Sequence, residues 1–148
     1  MSKKMILFIG IQASGKTTYY LDEFADSFAH VNLDTLKTRN KEKLLVEDLI
    51  HAGMDFVVDN TNPTKEDRAR YIVPAKRADY MVEGYFFQSR VQECIKRNEN
   101  RTGKAKVSAG AIAATSNKLE MPSLEEGFDK LYFIDSNGKK YEWKEEET

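Results

Sequence analysis

The sequence predicts an α/β fold in which a doubly wound, mostly parallel sheet is flanked by helices. Short apolar runs alternate with helical stretches along the chain, as in consecutive βαβ units. The first run, 5–9, is apolar at every position, which is expected of a strand covered on both faces. A glycine-rich turn follows that run and leads into a helical stretch. Because no internal repeat or linker interrupts the pattern, the 148 residues are expected to form one domain, 1–148.

In the first half of the chain, strands are predicted at 5–9, 30–33 and 56–58. The helix after the first strand is indicated by four apolar residues at the spacing i, i+3, i+4 and i+7, namely Leu21, Phe24, Ala25 and Phe28. The next helix has its apolar positions within 45–52 and ends at Gly53. Thr64 begins another with capping-box spacing, and Pro74 is expected to shorten or kink it.

In the second half, a strand is predicted at 80–87, where Glu83 and Gly84 interrupt the apolar pattern. A helix begins near Val91, and an alanine-rich helix is predicted over 104–119, with Ser108 as a possible N-cap. The last predicted strand covers 131–134. The charged tail, 137–148, is expected to form a short hairpin arm or a frayed end.

The composition is that of a globular protein and excludes several other classes. Hydrophobic residues make up 41% of the chain and charged residues 32%. The single cysteine, Cys94, excludes an intramolecular disulfide and a zinc site built from several cysteines. The formal net charge of −1 excludes a basic module that coats nucleic acid along its length, although it allows a local basic patch.

Neither a signal peptide nor a membrane span is expected. The apolar run 5–9 is shorter than the ~7–15 apolar residues of a signal peptide and the ~20 of a spanning helix. With one free thiol as well, we expect a cytoplasmic protein, or a protein of the host cytoplasm if a phage encodes it, without membrane association.

Residues 10–17, Gly-Ile-Gln-Ala-Ser-Gly-Lys-Thr, match the phosphate-loop pattern G-x-x-x-x-G-K-[ST] in full. In this pattern, backbone N–H groups and the positive end of the following helix bind phosphate. Lys16 would reach the β- and γ-phosphates of ATP, and the hydroxyl of Thr17 would bind Mg²⁺. The predicted ATP-binding residues of this segment are Gly10, Gln12, Ala13, Ser14, Gly15, Lys16, Thr17 and Thr18. The alternative is a glycine turn with an incidental lysine.

Two acidic residues follow predicted strands and are candidates for the chemistry. Asp34 follows the second strand, whose carboxyl end should lie beside the phosphate loop, and it is the best candidate to orient or deprotonate an acceptor hydroxyl. The alternative for Asp34 is that it caps a helix beginning near Thr35. Asp59 follows the third strand and would hold Mg²⁺, directly or through water, while an Asx turn is compatible with the same residue.

A basic cluster lies between Arg90 and Lys106. It has six basic residues against two acidic ones, a local excess of +4 in a chain of net charge −1. We expect a mobile lid at about 96–107 that closes over the triphosphate, with Arg97 and Arg101 contacting ATP. The alternative for any one of these residues is a solvated helix end.

Three further blocks occur in order along the chain. The first is D-N-T-N-P at 59–63, followed by R-A-R-Y at 68–71; the second is N-E-N-R at 98–101; the third is P-S-L-E-E-G-F at 122–128. With the phosphate loop, these blocks resemble the kinase domain of polynucleotide 5′-hydroxyl kinases, both of the phage type and of the eukaryotic polynucleotide kinase-phosphatases. The resemblance extends over residues 6–134.

This resemblance implies transfer of the γ-phosphate of ATP to the 5′-hydroxyl end of DNA or RNA, with ATP and Mg²⁺ required. It implies that Asp34 is the general base and that Arg101 bridges phosphates in the transition state. It also implies that Lys37 and Arg39 contact substrate phosphates and that Thr61 lies near the acceptor. Leu33 departs from the family pattern, because the phage enzymes carry an arginine there. Since no D-x-D-G-T phosphatase motif is present, kinase activity alone is expected.

Two other functions remain open from the residues alone. One is a kinase of the same architecture that phosphorylates a hydroxyl of a sugar, nucleoside or antibiotic. The other is an NTP-hydrolysing switch or binding module without a phosphoryl acceptor.

Overall fold

The computed structural model describes residues 3–102 and 106–143, and its centre is a six-stranded sheet. The strands are β1 (Lys4–Ile9), β2 (Ala29–Val31), β3 (Phe56–Val58), β4 (Met81–Phe87), β5 (Lys130–Ile134) and β6 (Lys140–Glu142). Their order across the sheet is β2-β3-β1-β4-β5-β6, with parallel pairs except for the antiparallel pair of β5 and β6. The predicted doubly wound, mostly parallel sheet is confirmed.

Six α-helices and one 3₁₀ helix are present in the described part of the chain. They are α1 (Lys16–Glu23), α2 (Leu33–Leu36), α3 (Arg39–Ala52), α4 (Lys65–Arg77), α5 (Val91–Glu99), α6 (Ala109–Lys118) and the 3₁₀ helix Leu124–Glu126. None of the helices within 3–102 and 106–143 is long and apolar enough to cross a membrane.

The core lies on both faces of the sheet, as the apolar run of β1 predicts. Met5, Leu7 and Ile9 pack on one face against side chains of α3 and α4, whereas Ile6 and Phe8 pack on the other against α1. All five are at most 1% exposed. This double burial explains why residues 5–9 of the strand are all apolar.

The first helix is shorter than predicted. It ends at Glu23, and Leu21, predicted to face the core, is 63% exposed. Phe24 and Phe28 are partly buried against the same core from the turn that follows, with their ring centroids 5.1 Å apart. The helical spacing of these aromatic residues therefore identified core residues but not the end of the helix.

Other local predictions can be compared with the observed elements. Gly53, at φ 69°, ends α3, and the hydroxyl of Thr64 caps α4 by accepting a hydrogen bond from the N–H of Asp67. Pro74 does not end α4, which continues to Arg77 because buried residues on either side of the proline hold it to the sheet. Ser108 caps α6, so this helix begins at 109 and not at 104.

Glu83 and Gly84 do not interrupt β4. The strand runs through both residues. A glycine is required at position 84, because a Cβ there would lie 2.6 Å from Cε1 of Phe128 and 2.7 Å from Cδ1 of Leu131. The tail forms the predicted hairpin arm through β6, and 144–148 lie outside the described residues.

Arg68, on α4, is the most heavily bonded buried side chain near the D-N-T-N-P block. It is 0% exposed. Its Nη1 donates to both carboxylate oxygens of Glu126, at 3.0 and 2.9 Å. Its Nε and Nη2 donate to the carbonyls of Asn62, Pro63 and Glu120. Arg68 thereby ties the loop after β3 to the segment before β5.

Replacing Arg68 with Met is expected to lower the free energy of unfolding by about 3–5 kcal/mol, because Oε1 of Glu126 and the carbonyls of Asn62 and Glu120 would lose their donor in a buried environment. Arg70, two residues along the same helix and exposed, is the matched control, and Arg70→Met should change stability by less than about 0.5 kcal/mol. Urea unfolding followed by circular dichroism measures both. Equal effects of the two substitutions would contradict this role of Arg68.

Candidate active site

The phosphate loop connects β1 to α1 and requires small residues at two positions. A Cβ on Gly10 would lie 2.8 Å from Oγ of Ser14 and 3.1 Å from Cβ of Phe87. Gly15 has φ +96°, a conformation that L side chains rarely adopt. Ala13 also has a positive φ, 61°. The backbone therefore curls around the space in front of the N-terminus of α1, which favours a bound anion.

Lys16 lies in the centre of this loop. Its Nζ donates to the carbonyls of Gly10 and Ile11, at 3.0 and 2.8 Å, and to Oγ of Ser14 at 3.3 Å. Burial lowers the pKa of Lys16 to about 8, although the nearby carboxylates of Asp59 and Asp34 favour its charged form. Arg101 is close enough to oppose them. Three other predicted site residues, Asp34, Asp59 and Arg101, thus interact electrostatically with this ammonium group.

Thr17 and Asp59, both predicted to bind Mg²⁺, contact each other. Oγ1 of Thr17 donates to Oδ2 of Asp59 at 2.8 Å, and Asp59 is 2% exposed. Nε2 of His30 lies 2.7 Å from the same carboxylate oxygen, and the ring of His30 lies against that of Tyr20 with centroids 3.9 Å apart. A hydroxyl oxygen and a carboxylate oxygen are donors that Mg²⁺ prefers. The residues present therefore fit a magnesium ion.

Asp34 lies in the first turn of α2, with its side chain exposed. Asn32 caps this helix, since its Oδ1 accepts from the N–H of Thr35 at 3.2 Å, so the capping alternative for Asp34 is wrong. Two further bonds fix α2 beside β3: Nδ2 of Asn32 donates to the carbonyl of Asp59, and the N–H of Leu33 donates to Oδ1 of Asn60. Within the described residues the Asp34 carboxylate has no hydrogen bond or ion pair, and it lines the same cavity as Lys16.

Of the other residues predicted to contact the acceptor, two line the cavity and one does not. Thr61 and Arg39 line the cavity. Nη1 of Arg39 is already bonded, at 3.0 Å to Oε1 of Glu42 and at 3.0 Å to the hydroxyl of Tyr71, and Glu42 is 1% exposed. Lys37 ends α2 with φ 72°, is exposed and is not among the residues that line the cavity.

Arg97 and Arg101 approach the phosphate loop from α5 and the residues after it. Nη2 of Arg97 donates to the carbonyl of Ser136 at 2.9 Å, and its Nη1 lies 3.7 Å from the position of a Cβ on Gly15. Nη1 of Arg101 is buried without a hydrogen-bond partner among the described residues. A buried guanidinium nitrogen without a partner in the described part of the chain, beside a phosphate loop, is what an anion-binding site presents. Part of the predicted lid, 103–105, lies outside the described residues.

The predicted site residues surround a single cavity of about 1000 Å³. All of them line it except Gly10 and Lys37. Gly10 lies behind the loop, where its N–H donates to the carbonyl of Thr61 at 3.0 Å.

Sequence reasoning missed several other residues of the cavity. His30, in β2, is one of them, because its contact with Asp59 depends on β2 lying next to β3. Asn60, within the D-N-T-N-P block, was also missed. The turn 135–138 lines the cavity next to Arg97, and the bond of Arg97 to a backbone carbonyl there has no signature in the sequence.

The pKa of Lys16 makes nucleotide binding dependent on pH. A neutral amine cannot attract phosphate, so the affinity for ATP is expected to fall roughly 5- to 10-fold between pH 7.5 and pH 9, as Lys16 loses its proton. Isothermal titration calorimetry at several pH values measures this. In Lys16→Met the affinity should be weak and nearly independent of pH. A flat profile for the unaltered protein would show that Lys16 does not control binding.

Comparisons with known proteins show a family and several relatives that the chain resembles. A family model described as an AAA domain matches residues 35–122, which is more than half of the chain. A bifunctional polynucleotide phosphatase/kinase of Schizosaccharomyces pombe is 26% identical over 87% of this chain and 33% of its own length. A putative bifunctional polynucleotide phosphatase/kinase of Acanthamoeba polyphaga mimivirus is 29% identical over 87% of this chain and 32% of its own length. The chain spans about a third of the length of these relatives, and the resemblance to the polynucleotide kinase family is confirmed.

Solved structures share the fold. Kti12 of Chaetomium thermophilum in complex with ADP-AlF3 is 18% identical, with a TM-score of 0.67, over 88% of each chain. A structure of the PezAT toxin-antitoxin system of Streptococcus pneumoniae is 17% identical, with a TM-score of 0.71, over 99% of this chain and 74% of the other. A gluconokinase of Sinorhizobium meliloti is 14% identical, with a TM-score of 0.62, over 90% of this chain and 83% of its own.

Proposed function

We propose that this chain, which belongs to the AAA domain family, is an ATP-dependent kinase. It transfers the γ-phosphate of ATP to a 5′-hydroxyl end of DNA or RNA. One observation carries this proposal: the unpaired carboxylate of Asp34 shares a cavity with the complete phosphate loop and the Thr17–Asp59 pair. A phosphotransferase needs such a group for its acceptor, whereas ATP binding alone does not. The names of the curated relatives support a nucleic-acid end as the acceptor.

On the donor side, the loop residues from Gln12 to Thr18, which line the cavity, bind the phosphates through N–H groups. Lys16 leaves the carbonyls of Gly10 and Ile11 and pairs with the β- and γ-phosphates. Thr17 and Asp59 hold Mg²⁺, which supplies positive charge to the phosphate oxygens. Arg97 and Arg101 neutralise the charge that spreads over the transferred group.

On the acceptor side, Asp34 accepts the proton of the attacking hydroxyl. The oxygen of that hydroxyl forms a bond to the γ-phosphorus as the bond to the β-phosphate oxygen breaks, and ADP leaves. Arg39 and Thr61 contact the acceptor from the cavity wall, and Lys37 contacts it from the rim of α2. Because only a few cationic side chains face the acceptor, the protein contacts the end of a nucleic-acid strand and not a long stretch of it. The affinity for the acceptor is therefore expected to depend only weakly on salt concentration.

Labelled ATP tests the proposal directly. The protein is incubated with ATP labelled at the γ-position and Mg²⁺, together with a 5′-hydroxyl oligonucleotide of DNA or RNA. We expect label at the 5′ end and no transfer to the same oligonucleotide carrying a 5′-phosphate. Absence of label on every oligonucleotide would overturn the nucleic-acid acceptor.

A second candidate is a kinase of a small-molecule hydroxyl. The fold shared with the gluconokinase and the cavity of about 1000 Å³ favour it, because such a volume accommodates a nucleotide and a metabolite together. The same labelled ATP offered to a panel of sugars, nucleosides and aminoglycosides separates the two. Transfer to one of these, with none to oligonucleotides, would establish the second candidate.

A further inference from the structure

Asn98 closes the base of the segment that carries Arg101. Asn98 lies in the last turn of α5 and is 4% exposed. Its Oδ1 accepts from the N–H of Val107 at 2.9 Å, and its Nδ2 donates to the carbonyl of the same residue. An amide side chain offers one acceptor and one donor side by side, which matches the two polar groups of one peptide residue. The chain is therefore joined to itself nine residues apart.

Arg101 depends on this closure through the backbone. The N–H of Arg101 donates to the carbonyl of Asn98 at 3.0 Å. At the other end, Val107 packs against a buried cluster made of Ile11 of the phosphate loop, Cys94 and Ile112. Asn98 thus connects the backbone of Arg101 to an apolar cluster that includes a residue of the phosphate loop.

Within residues 3–102 and 106–143, no hydrogen bond holds the guanidinium of Arg101, and its Nη1 is buried. Lys16 lies close enough to repel it electrostatically. Arg97, by comparison, is held by the carbonyl of Ser136. The position of Arg101 must therefore come from the backbone segment on which it lies.

We infer that Asn98 is a positioning residue, which holds Arg101 over the phosphate loop before nucleotide binds. A group fixed in advance where charge develops needs no reorganisation during the reaction. Asn98 therefore acts on the transition state and has little effect on binding of the ground-state nucleotide. This inference rests on the proposed phosphoryl transfer, but not on the identity of the acceptor.

The test uses the full chain and no acceptor. Affinities for ADP alone, and for ADP with aluminium fluoride as a mimic of the transferred group, are measured by calorimetry in the presence of Mg²⁺. Asn98→Ala is expected to weaken binding of ADP with aluminium fluoride by about 10- to 100-fold, and binding of ADP alone by less than about twofold. Asn100→Ala, an exposed amide two residues away, is the matched control and should change neither.

A double-mutant cycle with Arg101→Ala separates positioning from general stability. If Asn98 acts through Arg101, then adding Asn98→Ala to Arg101→Ala weakens binding of the mimic no further. Asn98→Leu retains the volume of the side chain without either hydrogen bond. If Asn98→Ala does not fold, Asn98→Leu replaces it in the cycle and is expected to show the same loss of affinity for the mimic. An equal loss in both backgrounds, or an equal loss for ADP and for the mimic, would overturn the inference.

These outcomes are distinct from failure of the proposed function. If the unaltered protein bound ADP with aluminium fluoride no more tightly than ADP alone, phosphoryl transfer and the role of Asn98 would both be overturned. If labelled ATP failed to modify oligonucleotides while the cycle gave the expected result, only the nucleic-acid acceptor would be wrong.

Discussion

Arg101→Ala is expected to lower kcat for phosphoryl transfer by about 10³-fold or more, with the KM for ATP changed by less than about fivefold. The reason is the buried Nη1 of Arg101, which has no partner among the described residues and belongs to a side chain that lines the cavity with Lys16. In the proposed mechanism, the loop N–H groups and Lys16 suffice to bind the ground-state triphosphate. The charge that spreads over the γ-phosphoryl group needs a further donor, and Arg101 is free to supply it. Steady-state kinetics with the acceptor identified by labelling measures both constants.

Two controls define the result for Arg101. Arg90 belongs to the same basic cluster, but its side chain is 71% exposed and its one ion pair in the described part of the chain is with Glu93, so Arg90→Ala should leave kcat unchanged. Arg101→Lys retains the charge without the planar fork of donors and should recover only part of the rate. An unchanged kcat in Arg101→Ala would refute the assignment of this residue to the transition state.

The parts of the site that lie close together in the chain could be predicted from the sequence. Residues 10–17 form the phosphate loop because the conformations it needs are local, and Gly15 shows this through its positive φ. The pair of Thr17 and Asp59 is not local, but it follows from a general rule, since the carboxyl ends of neighbouring parallel strands meet at one edge. The structure places Oγ1 of Thr17 2.8 Å from Oδ2 of Asp59.

The contacts that depend on strand order and on backbone groups could not be predicted. His30 reaches Asp59 because β2 lies next to β3 at the edge of the sheet, and no residue pattern specifies that neighbour. Arg97 is held by the carbonyl of Ser136, a group that every residue carries. The helical spacing that placed Leu21 in the core assumed that the helix continues to Phe28. Helix α1 ends at Glu23, so Phe24 and Phe28 pack against the core from the turn after it and do not share a helix face with Leu21.

Asp34→Asn is expected to reduce phosphoryl transfer by about 10²- to 10⁴-fold and to leave ATP affinity within about twofold. The substitution retains the size of the side chain and removes only its ability to accept a proton. Because Asn32 caps α2 and Asn60 bonds to the N–H of Leu33, the helix does not depend on the Asp34 carboxylate. A loss of rate therefore reports the chemistry and not the fold. Calorimetry for ATP and label transfer for the rate are the two measurements.

The same variant separates a kinase from an NTP-hydrolysing switch. A switch has no acceptor hydroxyl, so its ATP turnover should persist in Asp34→Asn and in Asp34→Ala. A kinase should lose transfer in both while any slow hydrolysis by water continues. Asp48, exposed on α3, is the matched control, and Asp48→Asn should affect neither activity. Full transfer by Asp34→Asn would contradict general-base catalysis, and the carboxylate that carries the proposed function would then have no role in the reaction.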